Sequence, residues 1–298
     1  MVGRLVECVP NISEGRRRDV IDAVVDAVRQ TQGARVLNVQ SDESHNRTVI
    51  TFAGEGEAVA QAALALVGKA VELIDLRRHH GEHPRLGAVD VIPFVPLGET
   101  TLEECIGLAR RLGEQIWDAL RVPVYLYSAA ATAAHRVRLP DIRKGEFEGL
   151  AEKMLQEGWA PDVGDPVPHP SAGAVVVGAR YPLIAYNINL RTTDVEIARA
   201  VARAVRGSSG GLVNVQALGV VAASGLAQVT INILDASKTP MARVFDLVRV
   251  EAERYGVEVA ESEVVGLVPL DAIVDAARAH LRMHSFDRGQ ILEVRLLE

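Results

Sequence analysis

The alternation of strand-like and helix-like stretches constrains the fold of this chain more than any other feature of its sequence. The opening reads as a strand at 5–9, a helix from about 14 to 31, and strands at 35–39 and 48–52. A helix at 57–74 and a strand at 89–95 follow. The order β-α-β-β-α-β is that of a split βαβ, ferredoxin-like unit. A helix at 102–120 and a strand at 122–127 lead into an irregular region, 128–171, whose end reads as a linker because Pro161, Pro166, Pro168 and Pro170 crowd it. Strands at 174–177 and 183–190, a helix at 194–205, a turn at 207–211, strands at 213–221 and 228–234, a helix at 240–255 and a strand at 262–267 then give the same order again. No residue-level repeat accompanies it.

The expectation is therefore an α/β (α+β) chain of two ferredoxin-like βαββαβ subdomains, 1–179 and 180–298. Such a sheet carries both helices on one face, so two of them can pack their open faces together around a substrate cleft. Alternation in the second half agrees: Gln228, Thr230 and Asn232 fall on one side of a strand and Val229, Ile231 and Ile233 on the other, with Asn187 and Asn189 as a similar polar stripe.

Composition narrows the function classes. At 298 residues and 48% hydrophobic content the chain can bury one large core or two modest ones. Cys8 and Cys105 lie far apart behind no signal peptide, which points to reduced thiols and a cytoplasmic location. Apolar stretches such as 58–66 break off well before the ~20 residues a bilayer crossing needs, so no membrane role is expected. A net charge of −7 and 4% aromatic residues supply neither the basic field nor the stacking platforms of a nucleic-acid binder. There is no G-x-G-x-x-G or Walker-type loop for a dinucleotide or nucleoside triphosphate. An anionic substrate would need a local arginine cluster.

Two such clusters exist. Arg77-Arg78-His79-His80-Gly81-Glu82-His83-Pro84-Arg85 lies between a helix and a strand. Histidine suits proton transfer near neutral pH, and the arginines suit bidentate carboxylate binding. His79 to His83 also matches an H-x-x-E-H zinc spacing, which requires both histidines on one helical face; Gly81 and Pro84 oppose that helix, and no metal is expected. Histidines that only cap or brace the loop are the third reading. The second cluster, Asp42-Glu43-Ser44-His45-Asn46-Arg47, has ordinary turn residues, but Arg47 enters a strand where it can clamp a carboxylate. Arg16, Arg17 and Arg18 open a helix, where cations oppose the dipole; they read as solvated surface or as attraction for an anionic tail.

Taken together, residues 5–15 (LVECVPNISEG), 45–48 (HNRT) and 80–94 (HGEHPRLGAVDVIPF) resemble the formimidoyltransferase family. The resemblance continues through 122–127, 142–149, 161–164, 177–180, 187–190 and 265–269, in order along nearly the whole chain. It implies transfer of a formimidoyl group from N-formimidoyl-L-glutamate to tetrahydrofolate as co-substrate, by a homodimer that lacks the fused cyclodeaminase of animal relatives and works beside a separate one. It also implies that His83 is the catalytic proton-transfer residue. The folate-binding segment then falls on Gly164, Asp165, Pro166, Val167, Pro168, His169, Pro170, Ser171, Ala172 and Gly173. Arg47 and Arg85 become partners for substrate carboxylates, and Asn46, Asn187, Asn189, Gln228 and Asn232 further substrate contacts. Two departures stand out: Ser128 to Thr132 carries no acid where the family has one, and Gln40 replaces an aspartate that Asp42 can supply. They leave room for a formyl donor, or for a protein that binds folate without turnover.

Overall fold

The computed structural model describes residues 3–297. Its elements run β1 Arg4–Cys8, β2 Asn11–Ile12, α1 Arg18–Arg29, β3 Ala34–Asp42, β4 Arg47–Gly54, α2 Gly56–Leu73, β5 Val89–Gly98, α3 Leu102–Leu120 and β6 Val124–Ser128. Short helices α4 Leu139–Arg143 and α5 Leu150–Met154 precede β7 Val175–Ala179. Then come β8 Ile184–Leu190, α6 Val195–Val205, β9 Val215–Val221, β10 Ala227–Ile233, α7 Met241–Glu253, β11 Val259–Val265, α8 Leu270–Leu281 and α9 Leu292–Leu297. The chain divides after Arg180 into two compact units.

In the first unit β1 and β2 are one strand broken around Pro10, flanked antiparallel by β4 and β5, with β3 outside β4. The order β5-β1-β4-β3 is the ferredoxin-like one expected from the sequence. Cys8 sits opposite both Phe52 and Phe94, and this apolar face carries α1, α2 and α3. Burying each such Phe contributes roughly 1.5–3 kcal/mol.

The sheet does not stop there. Beyond β5 it gains β7 and then β6, both parallel to β5. β7 covers a stretch whose strand pattern reads with the second half, although the expected boundary after 179 leaves it in the first subdomain; it belongs to the first sheet. All five of its residues, Val-Val-Val-Gly-Ala, are buried, the pattern of a central parallel strand covered on both faces. The covering comes from α4 and α5, whose Ile142, Leu150 and Met154 pack on Val91, Tyr125, Tyr127 and Val176. The proline-rich stretch is not a linker either: Val124 N–H donates to Val163 O, and His169 and Gly173 exchange backbone hydrogen bonds within the first unit. The first helix also starts later than expected, at Arg18, because buried Glu14 turns back to accept from the N–H groups of Arg16 and Arg17.

The second unit orders its strands β11-β8-β10-β9, again ferredoxin-like, with Ile188, Val229 and Ile231 in its core beside Val201 of α6 and Val244 of α7. The polar stripe faces the other way. Asn187 donates to Glu263, Asn189 to Glu261, and Gln228 to Asn189 Oδ1, a polar ladder across β11, β8 and β10. Among the described residues no helix is long and apolar enough to cross a membrane.

Candidate active site

The loop at 74–88 cannot be a helix beyond Arg78, since Gly81, Pro84 and an extended His79 end the 3-10 turn that Asp75 caps. Three backbone hydrogen bonds stitch it to the end of the segment expected to bind folate: Leu76 N–H to Ser171 O (2.8 Å), Ala88 N–H to Ala172 O (3.0 Å) and Ala174 N–H to Leu86 O (3.2 Å). On the other side it abuts the β3–β4 turn, where Glu82 N–H donates to Ser44 O (3.3 Å). Three separate stretches of sequence thus meet around His83.

The two histidines of the H-x-x-E-H spacing do different things. His79 is buried; Arg85 Nε donates to its Nδ1 (3.2 Å), so its proton lies on Nε2 and goes to Asn46 O (2.9 Å). Burial first, then the Arg85 charge, lowers its pKa. It is a brace. His83, half-buried, instead accepts at Nε2 from Arg47 Nη1 (3.0 Å), which leaves Nδ1 carrying the proton. Burial, then the charges of Arg47 and Arg143, push its pKa down to about 2. His83 is a neutral imidazole, with the His45 ring 6.4 Å away.

Asn46, named as a substrate contact, is used up internally. It adopts φ +48°, its Oδ1 accepts from Gly15 N–H (2.9 Å) and its Nδ2 donates to His80 O (3.0 Å). Arg85, expected to meet a substrate carboxylate, has its donors engaged within the protein. Its Nη1 reaches Glu146 and Glu148 (both 2.9 Å), its Nη2 reaches Glu148 (2.6 Å) and His79 O (3.4 Å), and its Nε reaches His79, so all five N–H groups have acceptors. Lysine cannot span that set. Arg85→Lys should therefore cost about 1–3 kcal/mol of stability, read as a lower urea midpoint; an unchanged midpoint would show these bonds to be dispensable.

Sequence reasoning passed over Arg143 and Asp90, which form a buried ion pair beside His83. Asp90 is 1% exposed near the start of an apolar strand and also accepts from Leu86 N–H (2.8 Å). A carboxylate among Val89, Val91 and Ile92 needs a buried cationic partner, and that was the signal available. Of the arginine run, Arg16 is tied to Glu43 O, and Arg17 to Glu14 and Leu73 O. Asp42 is turned to His45, accepting from its N–H and facing its ring, while Gln40 is exposed opposite Val49. In the 128–132 stretch, Thr132 donates to buried Asp162, which also pairs with Arg136 (2.7 Å). In the expected folate segment His169 Nδ1 accepts from the N–H groups of Ser171 (3.4 Å) and Ala172 (3.1 Å), closing a tight turn; burial lowers its pKa too.

Residues 5–180 match the formiminotransferase domain, N-terminal subdomain, and residues 185–293 match the formiminotransferase domain. The chain belongs to the formiminotransferase family. It is 45% identical over 298 residues to a glutamate formimidoyltransferase of Streptococcus pyogenes serotype M1, covering 99% of this chain and 100% of that one. A glutamate formimidoyltransferase of Thermoplasma acidophilum is 46% identical, covering 97% and 96%. The formimidoyltransferase-cyclodeaminase of Sus scrofa is 47% identical over 93% of this chain and 52% of its own length.

Neutral histidines give this family member a testable acid sensitivity. His79, His83 and His169 all have folded pKa values below their ordinary one, so as pH falls below ~6.5 the unfolded chain takes up protons that the folded chain refuses. Stability is full above that pH and is lost as pH falls toward the folded values. Urea unfolding at pH 7.5 and 5.5 should show a lower stability at pH 5.5, and His83→Gln should shrink the difference. An undiminished difference in the variant would exclude His83 as a contributor.

Proposed function

We propose that the protein transfers the formimidoyl group of N-formimidoyl-L-glutamate to N5 of tetrahydrofolate, releasing L-glutamate, with His83 moving the proton. What carries this reading is the family match over both units together with one half-buried, neutral histidine on a loop whose Leu76, Leu86 and Ala88 are stitched by backbone bonds to residues 171–174. N5 attacks the amidine carbon and a new C–N bond forms. His83 takes the N5 proton, the bond from that carbon to the glutamate nitrogen breaks, and His83 returns the proton to the departing nitrogen. The 164–173 segment lies along the folate in this reading, and the Asn187, Asn189, Gln228 and Asn232 stripe meets substrate with the hydrogen-bonding capacity its own ladder leaves over. The working form is a cytoplasmic homodimer, and a separate cyclodeaminase takes the product.

A formyl donor is the second reading, favoured by the acid-free stretch at Ser128 to Thr132. Purified protein, tetrahydrofolate and either formimidoylglutamate or formylglutamate, without added metal, decide between them. Glutamate release with 5-formimidoyltetrahydrofolate formation supports the first. Turnover with the formyl donor alone would replace it, and no turnover with either would leave a folate-binding protein.

A further inference from the structure

Three arginines surround the histidine loop, and the protein satisfies them to different degrees. Arg85 has an acceptor for every N–H. Arg47 spends one Nη1 donor on a neutral imidazole, and its buried Nε–H meets no acceptor. Arg143 donates to Asp90, and its buried Nε–H also meets none. Among the described residues a single carboxylate, that of Asp90, is bonded to this pair of cations. Orphaned buried donors cost free energy that a ligand oxygen can recover, and a guanidinium pair with spare donors is the recognition element for a planar, two-oxygen anion.

The groups facing His83 sharpen the point. They are Arg47 on β4, Arg143 on α4, His45 in the β3–β4 turn and His79 on its own loop, with Asp90 of β5 engaged by Arg143 and Asp42 engaged by His45. No carboxylate bonds to the ring, and its acceptor nitrogen is covered by Arg47. A base in this state has nothing to take a proton with.

We propose that Arg47 and Arg143 together hold a carboxylate of the anionic donor, and that its arrival draws Arg47 off His83 Nε2 and frees that nitrogen for proton transfer. The donor then completes its own base: the bound carboxylate neutralises the two guanidinium charges that oppose an imidazolium. Arg143 binds the donor directly in this account, and Asp90 is the positioning residue that orients it. The inference rests on the transferase reading of the site.

The test uses glutarate, a dicarboxylate with no group to transfer, and wild-type protein carrying 15N-labelled histidine, with His83 signals assigned by their loss in His83→Gln. Without glutarate, Nε2 of His83 should remain an unprotonated acceptor down to about pH 5; with saturating glutarate, imidazolium signals should appear between about pH 5 and 7, the range of an ordinary histidine. That is a gain of at least about tenfold in proton affinity, one pKa unit or more. Calorimetry should show glutarate binding weakened about tenfold or more, the loss of a charged hydrogen-bonding partner, in Arg47→Gln. The paired variant Arg143→Gln with Asp90→Asn, which leaves no lone buried carboxylate, should weaken it similarly. Failure of glutarate to bind, binding that leaves His83 unchanged, or full affinity in either variant would overturn the site. Transfer that fails while glutarate still shifts His83 would refute the reaction and leave the site standing.

Discussion

His83→Ala should lower kcat by ~10²–10⁴-fold, the usual worth of a positioned proton-transfer group, while the protein still folds. The two halves of that expectation have separate grounds. Turnover falls because attack on the amidine carbon requires N5 to lose a proton and the glutamate nitrogen to gain one, and in this site His83 is the imidazole whose unprotonated nitrogen is held by Arg47 alone. His79 cannot replace it, since both its nitrogens are committed to Arg85 and Asn46 O. Folding survives because the one side-chain hydrogen bond lost is that from Arg47 Nη1. Added imidazole should restore part of the rate, which a purely architectural role for the ring would not allow. Steady-state turnover of both substrates, a urea melt and an imidazole titration check all three statements. Wild-type turnover in the variant would move the proton to another group.

Element order was legible because each ferredoxin-like unit spells out its own strands and helices with clear periods. What the sequence concealed was the addition to the first sheet. Val175–Ala179 is apolar at every position, so periodicity cannot say which sheet it joins, and its nearest sequence neighbour, β8, suggested the wrong one. The same limit applies to the site. His83, Arg47 and Arg85 stood out as charges in loops, yet only in the folded chain does Arg85 spend its five donors on Glu146, Glu148 and His79, whereas Arg47 spends one on His83. Spacing reports which chemistry is available, and hydrogen-bond saturation reports which of it is still free. Asp90 was the missed clue: a buried carboxylate between Val89 and Val91 in a strand with no other charged residue announces a buried cation, and the cation is Arg143.

Gly81→Ala should reduce turnover on the order of 10²-fold, with only a small change in the thermal midpoint. From the sequence, Gly81 matters as a residue that weakens a helix; in the structure its role is close approach. A Cβ there would lie 2.4 Å from His45 O and 2.8 Å from Asn46 Cβ, so the loop and the β3–β4 turn must part. His83 rides on that loop and Arg47 follows that turn, joined by one 3.0 Å hydrogen bond. A separation of about 1 Å breaks the bond and misplaces the imidazole, and misplacements of that size cost roughly a hundredfold in rate. The melting temperature is spared because Gly81 is exposed and the cores of both units lie elsewhere. Gly68→Ala is the natural control. It sits within α2, where a Cβ meets only Leu120 Cδ2 at 4.0 Å, so it should leave kcat unchanged and raise stability by roughly 0.5–1 kcal/mol. If Gly81→Ala turns over as fast as Gly68→Ala, the contact between loop and turn does not set the position of His83.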